Sequence, residues 1–109
     1  MKPLKFHPDA IKTIRVFPEE ARKEAGFQLD RVQRGEQPAD FKPFPTIGPG
    51  VEELRIREES GAFRVIYTAR FPEAVYAFHA FQKKTQKTAQ ADIELAKARY
   101  QALLKDRET

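Results

Sequence analysis

The chain has 109 residues, and its 20 lysines and arginines exceed its 16 aspartates and glutamates, giving a net charge of +4. Nine phenylalanines and a hydrophobic share of 40% are enough for a core, which argues against a disordered chain and predicts one domain over residues 1–109. No apolar run approaches a membrane span, and the first residues lack the apolar stretch of a secretory signal. The absence of cysteine excludes disulfides and thiolate metal sites. We therefore expect a soluble, cytoplasmic protein.

The first third of the chain predicts a short extended start and a helical hairpin. Residues 2–6 are extended, and Pro8 suits a first helical turn because its missing N–H would be unpaired there. Helical spacing relates Ile11, Ile14 and Phe17. A second helix restarts after Pro18 and ends near Gly35. Its apolar stripe consists of Ala21, Ala25, Leu29 and Val32. Residues 36–50 include four prolines and are predicted to be a connecting loop.

From residue 51 the apolar pattern changes from helical spacing to alternation, which predicts strands. The predicted strands are Val51–Glu59, Ala62–Phe71 and Ala74–Gln82. Tight turns join them, so they should form an antiparallel meander. A last helix is predicted from about Ala89 to Arg107, with Thr88 as its N-cap. Its apolar face consists of Ile93, Ala96, Tyr100 and Leu103. This order of elements predicts a small α+β fold.

The basic excess is concentrated between Phe63 and Thr88. This stretch contains five basic residues and one acidic residue, a surplus equal to that of the whole chain. Concentrated positive charge on strands and a loop is typical of a phosphate-binding surface. A solubilising rim is the alternative interpretation.

Arginines on the predicted strands are the first candidates for chemistry. Alternation places Arg55 and Arg57 on the same face of their strand. Arg64 lies within an apolar strand, where a guanidinium is costly unless it is paired or faces a cleft. Arg64 therefore either forms a structural ion pair with Glu53 or Glu59, or binds phosphate through its planar donor fork.

A histidine, a lysine-rich segment and the lack of metal-binding or nucleotide-binding motifs further limit the possible reactions. His79 titrates near neutral pH and is a candidate proton shuttle, with a structural role as the alternative. The segment Gln82–Thr88 holds three lysines and no acid before a helix start, which suits an anion. The two histidines lack a metal-ligand spacing, and Gly48-Pro49-Gly50 leads into a strand without the residues of a phosphate-binding loop. We expect no metal and no cofactor.

Four segments, taken in order, resemble the RelE/HigB toxins of bacterial type II toxin–antitoxin systems. They are Val51–Arg55, Phe63–Tyr67, His79–Thr88 and Ile93–Ala96. The likeness covers essentially the whole chain and is greatest to the phage-derived-protein branch of HigB-like toxins. It implies the RelE/ParE-like fold and a ribosome-dependent mRNA endonuclease. It also implies a partner antitoxin, usually a helix-turn-helix protein encoded just downstream. Such enzymes cleave without metal, because the ribose 2′-OH attacks the adjacent phosphorus.

The resemblance also assigns roles by position. Arg64 corresponds to the strand arginine that stabilises the transition state, while Arg55 and Arg57 match basic residues of the preceding strand. RelE-type members place a catalytic tyrosine after the basic segment, but residues 88–92 contain none, so the general base stays open between His79 and a lysine. The expected catalytic residues are Arg64, His79 and Lys84. The expected RNA-binding residues are Arg55, Arg57, Lys83 and Lys87.

Two other functions fit the same sequence. A ParE-like toxin would share the fold but inhibit DNA gyrase without cutting nucleic acid. A non-catalytic RNA-binding module would bind ribosomes with a steep salt dependence and leave RNA intact. Both alternatives predict that no mRNA is cleaved.

Overall fold

The computed structural model describes residues 1–108, which form three helices and one five-stranded sheet. The elements are β1 (Leu4–Phe6), α1 (Pro8–Arg15), α2 (Glu19–Gln33), β2 (Phe41–Pro43), β3 (Val51–Glu58), β4 (Gly61–Thr68), β5 (Val75–Lys83) and α3 (Gln90–Glu108). This is the predicted α+β order with one additional strand, β2. None of the helices within this range is long and apolar enough to cross a membrane.

The strand order in the sheet is β1-β5-β4-β3-β2. The predicted antiparallel meander of β3, β4 and β5 forms its centre. At one edge β1 runs parallel to β5, and at the other β2 runs antiparallel to β3. The first strand therefore enters the sheet beside the last one, and the helical hairpin makes the crossover between β1 and the meander.

Three predicted boundaries were wrong. Within the predicted loop 36–50, Phe41–Pro43 pairs with β3 as an edge strand, where a proline is tolerated because one side needs no partner. The middle strand of the meander ends at Thr68 rather than Phe71. The last helix begins at Gln90, directly after Ala89, whose carbonyl accepts the first backbone hydrogen bonds, so Thr88 is not the residue that precedes the helix.

Local sequence explains the ends of the hairpin helices. The His7 Nδ1 accepts a hydrogen bond from the backbone N–H of Asp9 at 3.1 Å and so caps α1, with Pro8 in the first turn as predicted. At the end of α2, Gly35 adopts a φ of 83°. The N–H groups of Gly35 and Glu36 then reach back to the carbonyls of Val32 and Arg31, which is a Schellman motif.

Helices cover the two faces of the sheet unequally. The hairpin of α1 and α2 packs on one face, where its apolar residues meet Leu54, Ile56, Phe63 and Val65. On the opposite face α3 places Ala96 and Tyr100 against Ile66, Phe78 and Phe81. Part of that second face stays open beside α3, and it holds the groove described next.

Candidate functional site

The register of the meander places the predicted site residues of the strands on a single face. Directly opposed residues of antiparallel strands project from the same side of a sheet. The rows across β3, β4 and β5 are Arg57–Ala62–Lys83, Arg55–Arg64–Phe81 and Glu53–Ile66–His79. This is the face on which α3 packs, so most of these side chains lie either beneath α3 or in the open area beside it, while Arg57 is at the edge of the sheet.

A groove of about 540 Å³ occupies the open area, between β2, β3 and the segment that joins β5 to α3. Its charged lining residues are Lys42, Glu53, Arg55, Lys83 and Lys87. Four cations facing a single carboxylate make the groove suitable for an anion. Nowhere in residues 1–108 do three or more His, Asp or Glu side chains converge as they would around a metal ion.

Arg64 lies within the sheet next to this groove and does not line it. Its side chain is 3% exposed, with Nε 3.5 Å from the Glu53 Oε1, so the structural ion pair with Glu53 is present. Its Nη1 also donates to the Phe63 carbonyl at 3.1 Å. Burial lowers the pKa of Arg64, Glu53 opposes this effect, and the nearby Arg55 and Arg57 add to it. Arg64 is thus placed to hold Glu53 in position at the groove.

His79 lies beneath α3 and does not line the groove. Its Nε2 is 2.8 Å from the Asp92 Oδ1, and its Nδ1 is 3.0 Å from the Arg99 Nη1. Burial lowers the pKa of His79, and Arg99 contributes in the same direction, while Asp92 opposes them. Both ring nitrogens are therefore engaged with α3, and the structural alternative describes its surroundings better than a proton shuttle does.

Two further predicted residues lie outside the groove. Arg57 is exposed at the edge of the sheet, where it lines a second polar groove together with Glu20 and Glu24 of α2; Arg55 lines both grooves. Lys84 is exposed on the segment after β5 and does not line the main groove. Of the predicted set, the structure brings Arg55, Lys83 and Lys87 together.

No sequence pattern singled out Lys42, and Glu53 was predicted only as an ion-pair partner of Arg64. Lys42 lies opposite Glu53 in the pairing of β2 with β3, so both side chains meet at the groove. The alternation of Phe41, Lys42 and Pro43 was the one sequence signal that could have indicated this edge strand and its outward lysine. It was obscured by the high proline content around it.

Solved structures with a similar fold include two of the Escherichia coli toxin RelE. A double arginine mutant of RelE in the free state has a TM-score of 0.68 and 18% identity, with 90% of this chain and 96% of that chain covered. A crystal structure of the isolated RelE toxin has a TM-score of 0.62 and 16% identity, with 97% and 98% covered. These similarities confirm the predicted RelE-like fold.

Sequence comparison identifies the family to which the chain belongs. No curated protein matches it. The model of one family, described as phage derived protein Gp49-like, matches residues 12–101 and therefore most of the chain. The resemblance predicted from the four segments is confirmed at the level of family and fold. This chain belongs to the Gp49-like phage-derived protein family and has the fold of the RelE toxins.

Proposed function

We propose that this chain is the toxin of a type II toxin–antitoxin system and that it cleaves mRNA on the ribosome. The groove supports the proposal, because Lys42, Arg55, Lys83 and Lys87 converge there on a fold shared with RelE. A phosphodiester is the anion that suits an open, elongated site lined by cations. Because ribosomes are its place of action, the protein works in the cytoplasm.

The proposed chemistry requires positioning and charge stabilisation. Attack of the ribose 2′-OH on the adjacent phosphorus forms the O2′–P bond and breaks the P–O5′ bond. The departing O5′ takes a proton from water, so the products are a 2′,3′-cyclic phosphate and a 5′-OH. Negative charge develops on the phosphoryl oxygens, where the Arg55 fork and the ammonium groups of Lys83 and Lys87 stabilise it. In this scheme the protein's own cations replace a metal ion.

Glu53 is the proton acceptor for the 2′-OH in this proposal. Charged lysines and arginines only donate hydrogen bonds, whereas Glu53 is a carboxylate within the groove and is held there by Arg64. His79, by contrast, has both ring nitrogens engaged beneath α3, and Lys84 lies outside the groove. The role of Arg64 is then to orient Glu53 and to place a positive charge next to the bound phosphate.

Primer-extension mapping of mRNA on programmed ribosomes tests the main proposal. We expect the wild type to create new 5′ ends and Arg55→Ala to cleave about a hundredfold more slowly, the usual loss for one preorganised donor. Lys12→Ala is the matched control, because Lys12 is exposed on α1, which packs on the opposite face. Wild-type cleavage by Arg55→Ala would contradict the proposed site. Intact mRNA together with gyrase inhibition would identify a ParE-like toxin, and ribosome binding alone would identify an RNA-binding module.

The assignment of the base has its own test. We expect Glu53→Gln to slow single-turnover cleavage by about 10²–10⁴-fold, the usual contribution of a general base, while His79→Gln and Lys84→Gln cleave at close to the wild-type rate. Glutamine has the size of glutamate, so Glu53→Gln removes the proton acceptor with little change of shape. A loss of this size only in His79→Gln or only in Lys84→Gln would assign the base to that residue instead.

We also propose that an antitoxin encoded next to this chain neutralises it. Its gene is expected directly downstream and its product is expected to contain a helix-turn-helix domain. Induction of the toxin alone should arrest growth, and co-expression of the neighbouring protein should restore growth and yield a co-purifying complex. A neighbouring protein that neither restores growth nor co-purifies would contradict this partner.

A further inference from the structure

A chain of polar contacts joins α3 to the sheet and to the start of α1. Arg99 is at its centre, where Nη1 donates to the Phe78 carbonyl at 3.1 Å and to the His79 Nδ1 at 3.0 Å. The Arg99 Nη2 lies 3.7 Å from the Asp9 Oδ2. On the other side of the imidazole, the His79 Nε2 lies 2.8 Å from the Asp92 Oδ1. His79 is 4% exposed, so the proton it carries is held inside the protein.

The partners of His79 determine where that proton lies. A guanidinium has no acceptor, so the Nδ1 that faces Arg99 must be unprotonated, and the single ring proton is on Nε2, where it donates to Asp92. A second proton would have to go onto Nδ1. It would remove the acceptor for Arg99 and bring two cations to 3.0 Å.

The other charged and titratable groups around the imidazole do not favour a second proton. From α3 it faces Arg99 and Asp92, and from the start of α1 it faces His7, with Asp9 bound to Arg99. Burial lowers the pKa of His79, Arg99 and His7 lower it further, and Asp92 alone opposes them. The neutral imidazole is therefore the form that fits this arrangement.

We propose that His79 is a pH-sensitive positioning residue, whose neutral form fastens the middle of α3 to β5 through Arg99 and whose protonation breaks this contact while the pairing with Asp92 is kept. Asp92 is in the first turn of α3, and the adjacent Ile93 lines the groove together with Gln90. The contact therefore also fixes one wall of the groove. This consequence for RNA cleavage rests on the proposed function, but the attachment of α3 does not.

Amide hydrogen exchange of the full chain, followed by NMR, tests the attachment directly. Between about pH 8 and the pH at which the ring resonances show that His79 is protonated, we expect the protection of the α3 amides, corrected for intrinsic exchange rates, to fall about tenfold in the wild type, because one hydrogen bond to a charged donor is lost. In His79→Gln the protection should change little, because glutamine offers both a donor and an acceptor but does not titrate. His7→Asn is the matched control: it removes the other histidine, keeps a capping side chain for α1, and should respond like the wild type.

Several results would overturn the proposal. Equal loss of protection in the wild type and in His79→Gln would assign the effect to other groups. Constant protection while the His79 ring titrates would show that protonation does not release Arg99, and a ring that stays neutral wherever the protein is folded would also overturn the proposal. If circular dichroism shows that His79→Gln does not fold, NMR titration of the wild type tests the proposal instead. The amides of residues 92–99 must then shift with the same midpoint as the His79 ring. None of these measurements involves RNA, so this proposal and the proposed function can fail separately.

Discussion

At the scale of single residues, the buried pair of Arg64 and Glu53 governs how the groove can be studied. Their side chains are 3% and 7% exposed, with a separation of 3.5 Å between Nε and Oε1. We predict that Arg64→Met lowers the free energy of unfolding by about 3–5 kcal/mol, because it leaves a buried carboxylate without its partner. The double variant Glu53→Leu with Arg64→Met should lose less. Equilibrium urea unfolding measures both, and a larger loss in the double variant would contradict the prediction.

Because Arg64 stabilises the sheet, Arg55 is the better position at which to test the activity of the groove. If an Arg64 variant no longer arrests growth, the cause could be a damaged groove or a less stable sheet, and the assay does not separate the two. Arg55 is half-buried and lines the groove directly, so its replacement tests the anion site with a smaller effect on folding. For this reason Arg55→Ala is the primary variant in the cleavage assay.

Gly48 shows how closely the proline-rich loop packs against α3. A Cβ at this position would lie 2.3 Å from the Cε2 of Tyr100, whose hydroxyl donates to the Pro49 carbonyl at 3.0 Å. We predict that Gly48→Ala destabilises the protein by about 1–3 kcal/mol, because the buried ring must move. Gly26→Ala is the control, since no atom lies within 4 Å of its Cβ on α2, and it should stabilise by up to about 1 kcal/mol. Thermal unfolding measures the stability of both variants. A Gly48→Ala variant as stable as the wild type would contradict the prediction.

At the scale of elements, the end of α3 is fastened to the turn before β5. The Arg107 guanidinium lies 3.6 Å above the Phe71 ring, and its Nη2 donates to the Glu73 Oε1 at 3.1 Å. The Tyr76 hydroxyl donates to the same carboxylate at 2.8 Å. The Arg107 hydrogen bond is the main reason that the pKa of Glu73 is lowered to about 2, and Tyr76 contributes less.

A carboxyl group whose pKa is lower in the folded than in the unfolded chain stabilises the fold above the unfolded pKa. The contribution of Glu73 should therefore be complete above pH 4.5 and decline as the pH falls toward about 2. We predict that Arg107→Gln returns the pKa of Glu73 most of the way to its ordinary value, and that Tyr76→Phe raises it less. NMR titration of the Glu73 carboxyl carbon measures both shifts, and an ordinary pKa in the wild type would refute the contact.

Local sequence patterns explain which elements could be predicted. Apolar spacing and Pro8 indicated the hairpin helices, and alternation indicated β3, β4 and β5, because these signals depend only on neighbouring residues. The edge strand β2 has three residues and ends in Pro43, so it depends on pairing with β3 and not on local preference. Short strands of this kind are formed by tertiary contacts that no window of sequence contains.

The candidate site was predicted in part for the same reason. Alternation correctly placed Arg55 and Arg57 on one face, but it could not show that Arg57 lies at the sheet edge and Arg55 in the groove. The surroundings of His79 depend on α3 folding back over β5, with Arg99 located 20 residues further along the chain. Sequence pattern determines the face of a strand, whereas the helix that covers this face is set by the whole fold.

At the scale of the whole molecule, the helices cover the two faces of the sheet unequally, and the uncovered part concentrates positive charge around one groove. The hairpin buries one face, and α3 covers only part of the other. The net charge of +4 is small for 109 residues. The open part of the second face nevertheless places Lys42, Arg55, Lys83 and Lys87 around one groove, with Glu53 as the one carboxylate among its charged lining residues. The local charge, and not the total, should therefore determine the proposed binding of RNA.

Salt dependence separates these two contributions. For single-stranded RNA, the slope of log K against log salt is about −0.7 for each phosphate neutralised. We predict that Lys87→Gln makes this slope shallower by about 0.7, since one groove contact is lost, whereas Lys12→Gln, which removes the same charge from α1 on the other face, leaves it unchanged. Fluorescence anisotropy of a labelled oligonucleotide over a series of salt concentrations measures the slopes. Equal changes in the two variants would show that RNA responds to the total charge of the protein and that the groove is not where it binds.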